Sequence, residues 1–167
     1  PAVDVVPGPL TDPEAATQVR YWLRKLHRVP IVLGKEVPGN VLGRMRAAVW
    51  REAIQLVVEG AATVEEVDQA MQLGPALWWA SAGPHLRAVM AAGPGAGEED
   101  LEVHLSRLLG AMEAPWAGLA TWTRLDEEAR HRLVRAVVRA YAERPMSASA
   151  VADDTAVALL NALRRLE

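Results

Sequence analysis

Three side-chain groups in this sequence have the type and spacing to do chemistry. His85 follows Gly83-Pro84 at the start of a helical pattern, close to the adjacent indoles of Trp78 and Trp79. An imidazole in that position could transfer a proton near neutral pH; a surface histidine at a helix start is the plainer reading. Glu52 sits between a polar sector (Arg44, Arg51, Gln55) and an apolar one (Val49, Ala53, Leu56, Val57). A carboxylate partly withdrawn from water has its pKa raised and can serve as acid or base, and an ion pair with a neighbouring arginine is the structural alternative. Trp78 and Trp79 can wall a pocket or stack on a conjugated or cationic ligand; they can equally pin their segment onto the core.

Other chemistries are excluded or poorly supported. The chain has no cysteine, which removes disulfides, zinc–thiolate sites and thiol nucleophiles. His104 and His131 have no second ligand at helical spacing, so no metal is expected. Ser81 has no nucleophile-elbow context. Asp153 and Asp154 read as helix-start acids suited to the dipole. A net charge of −3 argues against a nucleic-acid binder. No apolar run reaches the roughly 20 residues that span a bilayer. Pro1 to Leu10 has no basic start and carries Asp4, so no secretory leader is expected and a cytoplasmic location is.

The elements that must position these groups follow from pattern. Ala2 to Val6 and Val29 to Leu33 are β-rich runs flanking a helix with Ala15, Val19, Trp22, Leu23 and Leu26 at helical spacing. Thr11 and Asp12 offer caps, with a T-x-x-E box from Thr11 to Glu14. Two short strands make no stable sheet alone, so the β-α-β unit is expected to pair with further structure. Beyond Pro38-Gly39 the chain reads as helical. One helix closes at Gly60, and a second is boxed by Thr63 and Glu66. A compact loop spans Gly74 to Pro84, and a short helix runs to about Ala92. A further helix ends at Pro115, before an irregular stretch holding Trp116 and Trp122. Asp126 caps the next helix, with Leu133, Val134, Val137, Val138 and Tyr141 facing inward. A last helix opens at Ser147 or Ser149, with Leu159, Leu160, Leu163 and Leu166 packing.

From Gly34 to Pro84 the pattern becomes specific: Lys35-Glu36-Val37-Pro38-Gly39, Arg44, Trp50-Arg51-Glu52-Ala53, Val58 to Asp68, Gly74-Pro75, Trp79-Ala80 and Gly83-Pro84. This resembles the C-terminal domain of the 3-hydroxyacyl-CoA dehydrogenase superfamily, in its L-carnitine dehydrogenase and lambda-crystallin branch. The resemblance implies a mainly α fold, a helical bundle like the C-terminal domain of 6-phosphogluconate dehydrogenase. It implies residues 1–38 as the β-α-β remnant of a nucleotide-binding domain, and residues 39–167 as a substrate-binding and dimerisation domain. It also implies a catalytic histidine in a segment that would precede Pro1, with a paired acid where this chain has its first helix. Neither His27 nor Glu14 sits in a matching motif, and no G-x-G-x-x-G turn is present.

Two departures fall inside the resemblance. The family's P-G-F-x-x-N-R motif reads Pro38-Gly39-Asn40-Val41-Leu42-Gly43-Arg44 here, and an arginine position of the family holds Trp78. Asn40, Gly43, Arg44, Trp78 and Trp79 therefore become the candidate substrate contacts, with Asn40 or Arg44 able to hold a carbonyl or carboxylate or to cap the helix. The expectation is a truncated dehydrogenase-like chain, without a cofactor of its own. It would be reused as a cyclase, isomerase or dehydratase on an acyl or polyketide-like intermediate, with His85 or Glu52 moving the proton. A non-catalytic partner of a separately encoded nucleotide-binding subunit, and a fragment of a carnitine-type dehydrogenase, are the alternatives. A homodimer is expected in each case.

Overall fold

A computed structural model of the chain describes residues 2–143. Among the described residues the order is β1 (Ala2–Val5), α1 (Pro13–Lys25), β2 (Val29–Val32), α2 (Asn40–Val58), α3 (Val64–Leu73), α4 (Pro75–Ser81), α5 (Pro84–Met90), α6 (Glu98–Ala117) and α7 (Glu127–Tyr141). The fold is mainly α with one small parallel sheet, as the sequence indicates. The chain divides into two compact units, Pro1–Ala53 and Ile54–Glu167, and the division falls within α2. The helix expected after Ser147 or Ser149, and with it Asp153 and Asp154, lies outside the described residues.

In the first unit β1 and β2 pair in parallel, Ala2 opposite Val29 and Val5 opposite Val32. Parallel neighbours require a crossover, and α1 supplies it. The ladder continues one step past β2, where the Leu33 N–H donates to the Val5 carbonyl at 2.9 Å, and Leu33 is buried. The start of α1 differs from expectation. Asp12 caps it by accepting the Glu14 N–H, with Pro13 in the first turn. The Thr11 box to Glu14 does not form, because the Thr11 hydroxyl accepts the Gly8 N–H at 2.8 Å and closes a turn over Gly8. The last turn of α1 carries Arg24 and Lys25, which suits the negative end of the dipole.

In the second unit the Thr63 and Glu66 box is complete. The Thr63 hydroxyl accepts the Glu66 N–H at 3.2 Å, and the Glu66 carboxylate accepts the Thr63 N–H at 2.8 Å. Donation from the Thr63 backbone, then from its hydroxyl, holds the Glu66 carboxyl below its ordinary value. Gly74 to Pro84 is not a loop. Pro75 pre-sets the first turn of α4, the Trp78 N–H reaches the Gly74 carbonyl, and the Ser81 hydroxyl donates to the Trp78 carbonyl at 2.8 Å. The Gly-Pro pairs there are helix starts, not breaks. Pro115 does not end α6 either. It lies in the last turn, and the helix closes two residues on, with the Gly118 and Leu119 N–H groups turning back to Pro115 and Trp116 carbonyls. Trp116 is thus helical, while Trp122 lies in the irregular segment before α7.

Asp126 caps α7 as expected, accepting the Ala129 N–H at 2.8 Å. The buried stripe of α7 is not the valine one. Ala129, at 1% exposure, leads a line through Leu133, Ala136 and Ala140, whereas Val134, Val137 and Val138 are 53%, 39% and 56% exposed. α7 packs against α3, and the three valines stand on its more exposed face. A bond from the Tyr141 hydroxyl to the Asp68 carboxylate ties the two helices. The Trp122 indole N–H donates to the Gln55 amide oxygen at 2.7 Å, and a His104 ring nitrogen meets the Ala88 carbonyl at 3.2 Å, joining α6 to α5.

Candidate functional site

The most pointed polar arrangement lies at the start of α2. Gly39 and Asn40 both take left-handed backbone conformations, φ 81° and 48°, so the chain turns sharply into the helix. The turn is closed by the Asn40 N–H donating to the Val37 carbonyl at 2.8 Å. The aliphatic stem of Arg44 crosses over Gly39, where an added Cβ would stand 3.5 Å from its Cγ. The first turn of α2 carries no acid of its own. Its cap arrives from the sheet: Asp4 on β1 accepts the Leu42 N–H through Oδ2 at 3.2 Å. The other carboxylate oxygen, Oδ1, is buried and has no hydrogen-bond partner among the described residues. A buried carboxylate oxygen left unpaired is costly, so a donor is called for at that point.

Asp4 is the residue that reading the sequence missed as a site. The resemblance directs attention to an acid on the first helix, and the acid with an unmet acceptor is on β1 instead. The signal was a lone acid in the β-rich run Ala2-Val3-Asp4-Val5-Val6. Asn40, Gly43 and Arg44 all fall in the first turn and a half of α2, the stretch whose Leu42 N–H bonds Asp4. Glu52 is on the same helix but nine residues past Gly43, ~13 Å along the axis at ~1.5 Å per residue. It is half-buried and engaged, as is Arg51.

The remaining candidates belong to the second unit. Trp78 and Trp79 are 54% and 40% exposed on α4. Being consecutive on a helix, they point about 100° apart. His85 is exposed in the first turn of α5, the helix that follows α4. The indoles and the imidazole thus sit on two successive short helices. No cluster of histidine and acidic side chains suited to a metal occurs among the described residues, and no helix there is long and apolar enough to cross a membrane.

The described residues do not fit a dinucleotide at the β1–α1 turn. A pyrophosphate needs free backbone N–H groups at a helix start. Here Asp12 already places a carboxylate on that start and occupies the Glu14 N–H.

Residues 39–92 match the family model described as 3-hydroxyacyl-CoA dehydrogenase, C-terminal domain. The chain is 35% identical over 134 residues to L-carnitine dehydrogenase from Bacillus cereus, covering 80% of this chain and 40% of that one. It is 32% identical over 169 residues to L-carnitine dehydrogenase from Pseudomonas putida, covering 98% and 50%. A crystal structure of 5-formyl-3-hydroxy-2-methylpyridine 4-carboxylic acid 5-dehydrogenase, an NAD+ dependent dismutase, superposes with a TM-score of 0.67 at 21% identity, over 99% of this chain and 52% of that one. This chain belongs to the 3-hydroxyacyl-CoA dehydrogenase superfamily and carries its C-terminal domain. It spans half or less of the length of the L-carnitine dehydrogenases it is compared with, 40% of the Bacillus cereus protein and 50% of the Pseudomonas putida one.

Proposed function

We propose that the chain is the substrate-side part of a dehydrogenase of the 3-hydroxy-acid type, and that it binds a small hydroxy acid at the start of α2. The observation that carries this is Asp4. Its Oδ2 is committed to the helix and its Oδ1 is buried and unmet. A hydroxyl of the substrate, or a protonated imidazole from the rest of the family's fold, would supply the missing donor. Arg44 would pair with a substrate carboxylate. The relatives named for L-carnitine make a 3-hydroxy acid the class to try first. Nicotinamide chemistry would come from a nucleotide-binding domain or subunit outside the described residues, and a second copy of the chain is the expected partner. Within this chain the task is binding and orientation.

The test is calorimetric titration of the 167-residue chain with L-carnitine, with other 3-hydroxy acids, and with NAD and NADH. Binding of a hydroxy acid without nucleotide binding supports the reading. Micromolar binding of NAD or NADH by this chain alone contradicts the assignment of nucleotide binding elsewhere.

A second reading has its own observations. Trp78 adds an aromatic surface on α4, a departure from the family pattern, and His85 stands in the first turn of the next helix. They favour a larger acyl or polyketide-like substrate on the second unit and a cofactor-free cyclisation, isomerisation or dehydration, with His85 as the proton carrier. Saturable binding of cyclic polyketide-like compounds, with hydroxy acids inert, would select it.

A further inference from the structure

Two apolar stripes run along α7, and the described residues leave one of them open. Ala129, Leu133, Ala136 and Ala140 form the less exposed stripe of this helix, which packs against α3. Val134, Val137 and Val138, at helical spacing, form a second face that stays exposed. Single apolar residues on a surface are ordinary, but three on one helix face ask for a cover. Glu127 and Arg130 continue that face towards the start of α7, where Arg124, Leu125, Asp126, Glu127 and Arg130 line an open depression.

The sequence supplies a cover of matching length. Beyond Tyr141 it reaches Pro145, which has no N–H to extend α7, and then the helical pattern that opens at Ser147 or Ser149. In that pattern Ala152, Ala156, Leu159, Leu163 and Leu166 recur at three- and four-residue spacing, with Asp153, Asp154, Asn161, Arg164 and Arg165 on the other side. One helix cannot bury such a stripe by itself. Residues 142–146 have the ordinary length of a helix–helix connection, and a short connection makes neighbouring helices antiparallel. A short tether also holds the segment at an effective concentration on the order of millimolar, which a second copy at micromolar concentration does not match.

We propose that residues 147–167 cover the valine face of α7 within the same chain, as the second arm of an antiparallel helix pair. Ala152 then meets Val138 and Ala156 meets Val134, so small residues of one helix face branched residues of the other. The same register carries Leu163 towards Leu125 and Glu167 towards Arg124 in the depression. The inference is independent of the proposed substrate.

The sequence has no cysteine, so introduced pairs are read without background. The test uses the 167-residue chain with Val138→Cys and Ala152→Cys, with Val134→Cys and Ala156→Cys, and, off the face, with Val138→Cys and Asp154→Cys. Melting curves of the reduced proteins come first and are expected to lie near that of the unaltered chain, since both valines are exposed. Mild oxidation is then followed by intact mass and non-reducing electrophoresis. The two facing pairs are expected to close within one chain about tenfold faster than the Asp154 pair, which shares the tether but not the face. Equal rates for the three pairs overturn the proposal, because the tether alone then brings the segment near. Disulfides between chains overturn it by placing a second copy on that face, and so does the absence of any disulfide from the facing pairs. Alkylation by a maleimide gives a second reading from Val138→Cys alone. Adding Ala152→Asp, which sets a charge against the valine face, is expected to speed that alkylation about tenfold; an unchanged rate overturns the proposal.

Discussion

Asp4 has two separable roles, and substitution can part them. Asp4→Ala removes the cap on Leu42 and is expected to cost about 1 kcal/mol in stability, the ordinary worth of a helix cap. Asp4→Asn keeps an oxygen for the Leu42 N–H but offers an amide where Oδ1 needs a donor. It should fold nearly as well as the unaltered chain and bind a hydroxy acid about 10- to 100-fold more weakly, the worth of a hydrogen bond to a charged group. Urea melts read the first effect and calorimetry the second; equal losses from both variants would leave Asp4 with a structural role only. Glu66 gives a pH prediction. Its folded pKa is depressed by donation from Thr63, so its contribution is fully present above the unfolded value of ~4.3 and is lost as pH falls through the lower folded value. Glu66→Gln should flatten that part of the stability profile between neutral and strongly acid pH.

At the scale of elements, the helix starts were legible where a single side chain decides them. Thr63 with Glu66, and Asp126, cap as their spacing indicates, because a cap is a local contest among three or four residues. Thr11 lost its contest to Gly8, a partner that spacing rules do not weigh. The segment holding Trp78 and Trp79 was misread because Gly and Pro serve both breaks and starts. The inner face of α7 was misread for another reason. Hydrophobicity favours Val134, Val137 and Val138, whereas the less exposed positions are Ala129, Leu133, Ala136 and Ala140, and only tertiary packing reveals it. Enlarging Ala129, 1% exposed, to Leu should therefore cost about 1–3 kcal/mol. Val137→Ala should cost less than a buried valine would, and chemical denaturation of the two variants compares the faces directly. The candidate site was half legible. Asn40, Gly43 and Arg44 came from a motif, but Asp4 is 38 residues before the Leu42 N–H that it holds, and only the strand–helix crossing brings those two together.

For the molecule as a whole, the family is settled by the match of residues 39–92 and by L-carnitine dehydrogenases at 35% and 32% identity. The activity is a proposal, because the chain spans half or less of the length of those relatives. The proposed homodimer predicts a sedimentation mass twice the 18.1 kDa of the chain; a mass equal to one chain over the micromolar range would refute it. The central claim is that a hydroxy acid binds through the unmet oxygen of Asp4. The most direct measurement is calorimetric titration of 3-hydroxy acids into the unaltered chain and into Asp4→Asn, with melting curves for both. The account predicts saturable binding to the first, at least tenfold weaker binding to the second, and closely similar melting. Equal binding by the two proteins, or no binding by the unaltered chain, would contradict it.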